Sequence, residues 1–139
     1  MTNPEYFQNE HVLDIAAPAE SIWRLFADVD GWKSWNEGIE TIAIDGPFAR
    51  GTSFRMKPPG QDELVSTLVD VEANRRFVDE TRVGDLVIHV RHELQPLGER
   101  LTSVTYAIVA KGPGASEIGP MICADFPAVL RALEAKVGA

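Results

Sequence analysis

Cysteine is nearly absent from this chain: Cys123 stands alone among 139 residues. One thiol makes no intramolecular disulfide and no thiolate zinc cluster, so neither a disulfide scaffold nor a zinc ribbon is available. Histidine is scarce as well, with three residues in all. His89 and His92 fall on opposite faces of any strand that holds both, His11 lies far off in sequence, and no HExxH spacing occurs. No metal is therefore expected. Basic residues are outnumbered 13 to 21 by acidic ones, for a net charge of −8. That balance argues against broad contact with phosphate backbones or anionic lipid, so neither nucleic acid nor membrane insertion is expected. No apolar run approaches the ~18 residues of a membrane span. The opening MTNPEYFQNEH has neither the basic nor the apolar region of a secretory leader. A cytoplasmic location is the resulting expectation. The glycines form neither a dinucleotide fingerprint nor a phosphate loop, and no cofactor is indicated.

What is present is ordinary for a folded domain: 45% hydrophobic and 24% charged residues. At this length a single domain spanning residues 1–139 buries roughly two-thirds of the surface that its unfolded chain exposes. Glycine and proline punctuate the chain at short intervals, and the apolar residues between them have readable periods. Residues 7, 11, 13 and 15 share one face of a strand. Pro18 and Glu20 suit a helix start, and Ile22, Trp23 and Phe26 follow at helical spacing. Asp28 or Asp30 can cap a second short helix holding Trp32 and Trp35.

From Ile39 onward the apolar residues alternate, predicting strands at Ile39–Asp45, Thr52–Lys57, Leu64–Val71, Phe77–Arg82, Leu86–Leu94 and Thr102–Ala110 in an antiparallel meander. Ile118, Ile122, Phe126, Val129, Leu130, Leu133 and Val137 then form one stripe of a helix of about 20 residues. Pro127 sits inside that stripe and predicts a kink. Strands and helices run in blocks, which predicts an α+β layer arrangement. A seven-stranded antiparallel sheet of this size curls, and the terminal helix is the object it would grip.

The runs Ala17-Pro18-Ala19-Glu20-Ser21-Ile22-Trp23, Asp28-Val29-Asp30-Gly31-Trp32 and Trp35-Asn36 carry a family likeness. So do Gly51-Thr52-Ser53-Phe54-Arg55, Arg75-Arg76-Phe77 and His92-Glu93-Leu94-Gln95-Pro96-Leu97, with Thr102-Ser103-Val104-Thr105-Tyr106 after them. Together they resemble the polyketide cyclase/dehydrase-like branch of the START/Bet v 1 (SRPBCC) superfamily, from about Glu10 to the C-terminus. The resemblance implies a helix-grip fold: a curved seven-stranded antiparallel sheet around a long C-terminal helix, with two short helices between strands 1 and 2. It also implies a hydrophobic cavity for a lipid, polyketide or other aromatic molecule. Members of such a superfamily differ in activity, and fold does not choose among them.

Strand parity nominates the lining. Ile88, Val90, His92 and Leu94 share one face, and Thr102, Val104, Tyr106 and Ile108 share another. Phe77 brings Asp79 and Thr81 with it, and Phe54 and Met56 point inward on their strand. On the strand from Leu64, the residues Val65, Thr67, Val69 and Val71 are expected inside. The candidate ligand-binding set is thus Trp35, Phe54, Met56, Thr67, Val69, Phe77, Val90, Val104, Ile122 and Phe126. Asp79, His92 and Tyr106 are polar groups on apolar faces. They can act as an acid/base pair with an orienting hydroxyl, or as satisfied core residues. Asp125 is expected on the solvated edge of the last helix, and the loops Gly46–Gly51 and Lys57–Asp62 over one end of the cup. Three functions remain open: a binder of a hydrophobic or aromatic small molecule, a polyketide cyclase or dehydratase, and a protein-interaction module with a filled interior. Oligomeric state is unspecified by the sequence.

Overall fold

A computed structural model describes residues 5–138, so both ends of the expected domain 1–139 lie outside the described residues. Strand β1 (Tyr6–Ile15) leads into helix α1 (Ala19–Ala27) and a 3-10 helix (Val29–Ser34). Six strands follow: β2 (Thr41–Ile44), β3 (Ser53–Lys57), β4 (Leu64–Glu72), β5 (Arg76–Val83), β6 (Leu86–Gly98) and β7 (Leu101–Lys111). Helices α2 (Ala115–Cys123) and α3 (Phe126–Val137) close the chain. The strands form one antiparallel sheet in the order β1-β7-β6-β5-β4-β3-β2. Strands β2 to β7 are a meander, and β1 pairs with the last of them, leaving β1 and β2 as the edges.

Local chemistry explains the two helices after β1. Pro18 takes the N-cap position of α1 in an extended conformation, and Glu20 sits in the positive first turn. Ile22 and Phe26, one turn apart, are buried. The Trp32 indole donates to the carbonyls of Phe26 at 3.0 Å and Leu25 at 3.2 Å. It thereby covers carbonyls that the end of α1 leaves without helical partners.

The C-terminal stripe is present as expected: Phe126, Val129, Leu130 and Leu133 are buried, with Ile118, Ile122 and Val137 packed against the core. The irregularity lies slightly before the proline. Helical hydrogen bonding lapses at Ala124 and Asp125, while both keep right-handed helical torsions. Pro127 has no N–H for the Cys123 carbonyl, and instead occupies the first turn of α3, where proline is tolerated.

The parity of β4 differs from expectation. Ser66 and Leu68 are buried, whereas Val65 is 54% exposed. The register with β5 slips between Leu68 and Asp70, so Val69 is the extra residue of a bulge. Beyond the bulge the alternation resets, and Val71 packs against the core. Thr67 therefore lies on the outer side, where its hydroxyl meets that of Ser53 at 3.1 Å.

Candidate ligand-binding site

A row of rings crosses the concave face of the sheet. Phe77 on β5 is the cross-strand partner of His92 on β6, His92 of Tyr106 on β7, and Tyr106 of His11 on β1. Matching parity on four adjacent strands brings these side chains together. The Phe77 and His92 rings stack at 3.9 Å with an interplanar angle of 8°. Tyr106 meets His92 edge-on at 4.6 Å. Phe26 from α1 covers this row, 5.2 Å from Phe77 and 6.0 Å from His92. Phe126 at the start of α3 meets Tyr106 at 5.5 Å and His11 at 6.3 Å.

Helices and sheet do not close on each other completely. A cavity of about 530 Å³ lies between the concave face, the 3-10 helix and the α2–α3 segment. That volume falls in the usual range of small-molecule sites, roughly 300–1,000 Å³. Its wall is mainly apolar and aromatic, including Trp32, Trp35, Phe54, Met56, Phe77, Ile88, Val90, Ile122 and Phe126. Its polar members are Asn36, Gln61, Ser66, Asp79, Thr81, His92, Tyr106 and Asp125. Ser66 and Thr81 satisfy one another at 2.6 Å.

Asp79 and His92 are in a different condition. Asp79 Oδ2 lies 4.0 Å from His92 Nδ1, too far for a hydrogen bond. His92 Nδ1 is buried without any hydrogen-bond partner. Burial pushes the Asp79 carboxyl up to about 7. Burial pulls the His92 imidazole down to about 3, and the backbone of Phe77 and Val90 offsets this only in part. The Tyr106 phenol is driven upward by burial first, and then by the charges of Asp79 and Asp125. At neutral pH the site thus holds a neutral imidazole, a carboxyl poised between its two forms and a protonated phenol. A carboxyl that can give up a proton and a weakly basic imidazole face the same space.

Of the residues nominated from sequence, Asp79, His92, Tyr106, Trp35, Phe54, Met56, Phe77, Val90, Ile122 and Phe126 all border the cavity. Thr67 and Val69 do not, because the β4 parity is reversed before the bulge. Val104 does not either. It has the expected orientation but is fully buried in the packed core, one step along β7 from Tyr106. Asp125 is exposed, as expected of the solvated edge, and it also borders the cavity mouth, where partial burial raises its carboxyl. The two loops also divide. Pro58, Pro59 and Gln61 stand over the cavity, whereas the Gly46–Gly51 loop sends Phe48 against Trp23 at 5.6 Å and Phe77 at 5.1 Å. Ser66, Asn36 and Gln61 were not nominated. A correct β4 parity would have found Ser66, but no pattern in sequence marks the two amides.

Among the described residues no group of three or more His, Cys, Asp or Glu is placed to hold a metal ion, and no helix is long and apolar enough to cross a membrane. No curated protein matches the chain in sequence. Solved structures share its fold at low identity. A norcoclaurine synthase point mutant from Thalictrum flavum, in complex with a transition-state analogue, superposes with a TM-score of 0.80 at 17% identity, covering 99% of this chain and 97% of that one. The Zhui aromatase/cyclase of a Streptomyces species gives 0.81 at 17% identity, covering 96% and 94%. A START superfamily protein of Mycobacterium smegmatis gives 0.75 at 20% identity, covering 94% and 97%. The family model described as polyketide cyclase/dehydrase and lipid transport matches residues 7–138, and the chain belongs to that family.

Proposed function

We propose that this chain binds one aromatic small molecule of moderate size, with its ring system against the aromatic wall and its polar end at Asp79, His92 and Tyr106. The observation that carries this reading is the unmet Nδ1 of His92 beside the cavity, 4.0 Å from Asp79. Buried polar atoms are nearly always satisfied, and a ligand group that bridges Nδ1 and the carboxyl would satisfy both. The aromatic row supplies faces and edges on which a flat ligand gains contact beyond simple area burial. A protein acting only through its surface would have a filled interior, and the cavity weighs against that alternative. Titration with naphthylethanol, followed by tryptophan fluorescence, tests the reading. Saturable one-to-one binding is expected, and it should vanish in a Val90→Trp variant that fills the cavity while keeping the native circular dichroism. Equal binding by the filled variant would overturn it.

A second reading, cyclisation or dehydration of a carbonyl compound, is favoured by one specific observation. Asp79 can donate a proton near neutrality while a neutral imidazole stands beside it. In such a step the ionised Asp79 carboxylate, the stronger base of the two, would remove a proton next to a carbonyl. It would return that proton to the oxygen that the new bond or departing water leaves negative, with His92 and Tyr106 orienting the carbonyl. His92→Ala separates the two readings. It should leave binding within a few-fold in both, and it should abolish turnover only if the site is catalytic.

A further inference from the structure

The charges around the cavity are all of one sign. Among its described lining residues there is no lysine and no arginine, while Asp79 stands in the wall and Asp125 at the rim. Asp79 is 9% exposed, and its carboxyl makes no hydrogen bond to the described residues, its approach to His92 being 4.0 Å. It accepts nothing from His92, whose own Nδ1 is unpartnered, nor from Ser66 or Thr81, which bond to one another. A buried carboxylate without a positive or hydrogen-bonding partner is costly, and the fold supplies neither.

We infer that the ligand carries a cationic amine on its aromatic body, with the ammonium group seated at Asp79 and further attracted by Asp125. This inference rests on the proposed binding of an aromatic molecule and names its charge class. An ammonium group would give Asp79 both the charge and the donors that it lacks. In the tautomer with its proton on Nε2, the neutral His92 accepts a second of its protons at Nδ1, and aromatic lining residues such as Phe126 and Trp35 suit a cation. Carboxylates and phosphates meet the reverse situation. They would enter a low-dielectric space beside two acidic groups with no basic residue among the described lining to receive them, so fatty acids and acidic polyketides are disfavoured.

The titratable groups that share the cavity lining with Asp79 are His92 on β6, Tyr106 on β7 and Asp125 at the α2–α3 junction. None of them is cationic near neutrality. Its carboxyl, at about 7, should therefore govern how amine binding depends on pH. The test compares naphthylethylamine, naphthylethanol and naphthylacetate on the full chain, by calorimetry. At pH 8 the amine should bind at least tenfold more tightly than the alcohol, and the acid at least tenfold more weakly. From pH 8 to pH 6 the amine should lose about tenfold as Asp79 takes up its proton, while the alcohol stays constant. Asp79→Asn should bring amine and alcohol within about threefold. Asp125→Asn, at the exposed rim, should weaken the amine alone by several-fold. An acid that binds as well as the amine, or an amine preference that survives Asp79→Asn, overturns the inference even if the alcohol binds. Failure of all three compounds overturns the underlying binding proposal as well.

Discussion

Between about pH 3 and 7, Asp79 and His92 face each other across 4.0 Å as a neutral acid and a neutral base, not as an ion pair. Desolvation decides this. The attraction of two charges at that separation does not repay their removal from water when no further hydrogen bonds support them.

That arrangement gives two variants opposite responses to pH. In the unfolded chain the pair titrates near 3.8 and 6.5, and in the folded chain near 7 and 3. Between about pH 4 and 6.5 both states hold one proton, on Asp79 when folded and on His92 when unfolded. The pair then contributes no slope to stability. In His92→Phe, Asp79 titrates alone and its raised value makes stability fall as pH rises from about 4 to 7. In Asp79→Asn, His92 titrates alone and its lowered value makes stability fall as pH drops from about 6.5 to 3. Displacements of this size correspond to roughly 4–5 kcal/mol each at most. Urea denaturation at half-unit pH steps checks the signs, and slopes of the same sign in the two variants would contradict the account.

The β4 bulge makes a second prediction. Leu68→Ala should cost roughly 2–5 kcal/mol, because Leu68 is fully buried. Val65→Lys, three residues earlier, should change stability by less than about 0.5 kcal/mol. Thermal denaturation of both variants decides the parity, and a costly Val65→Lys would reverse it.

Helix α2 approaches the sheet through Gly119. A Cβ there would lie 2.7 Å from Cγ of Phe7 on β1, well inside normal contact. Gly119→Ala should therefore destabilise the protein by roughly 1–3 kcal/mol. Phe7→Leu in the same chain should recover part of that loss, as measured by a double-mutant cycle. Additive effects would mean that the two groups do not collide.

Trp35 borders the cavity while Trp23 packs against Phe48 away from it. Trp35→Phe should reduce the fluorescence change on binding naphthylethanol, with Trp32 in the same wall reporting the rest, while weakening affinity only a few-fold. Trp23→Phe should leave that change in place.

These contrasts follow what the sequence made legible. Phe77, His92 and Tyr106 were identifiable because β5, β6 and β7 keep unbroken alternation through the row that joins them. The final stripe from Ile118 to Val137 was equally clear, since two helical segments with helical torsions between them preserve its phase. Thr67 and Val69 were misplaced because β-branched residues suit an exposed strand face as well as a buried one, and a bulge leaves no periodic trace. Val104 was oriented correctly, but parity cannot distinguish a packed interior from a cavity wall. Asp125 is exposed as its sequence position suggests, and that it also borders the cavity is a tertiary matter: it stands at the helical interruption, close enough to the loop before β2 that a Cβ on Gly38 would lie 3.2 Å from its Oδ2.

Native mass spectrometry of the chain purified from its own host decides whether the cavity is a binding site. A one-to-one complex with an aromatic compound that dissociates on denaturation is expected. A bare mass, both as purified and after incubation with excess naphthylethanol, would contradict it.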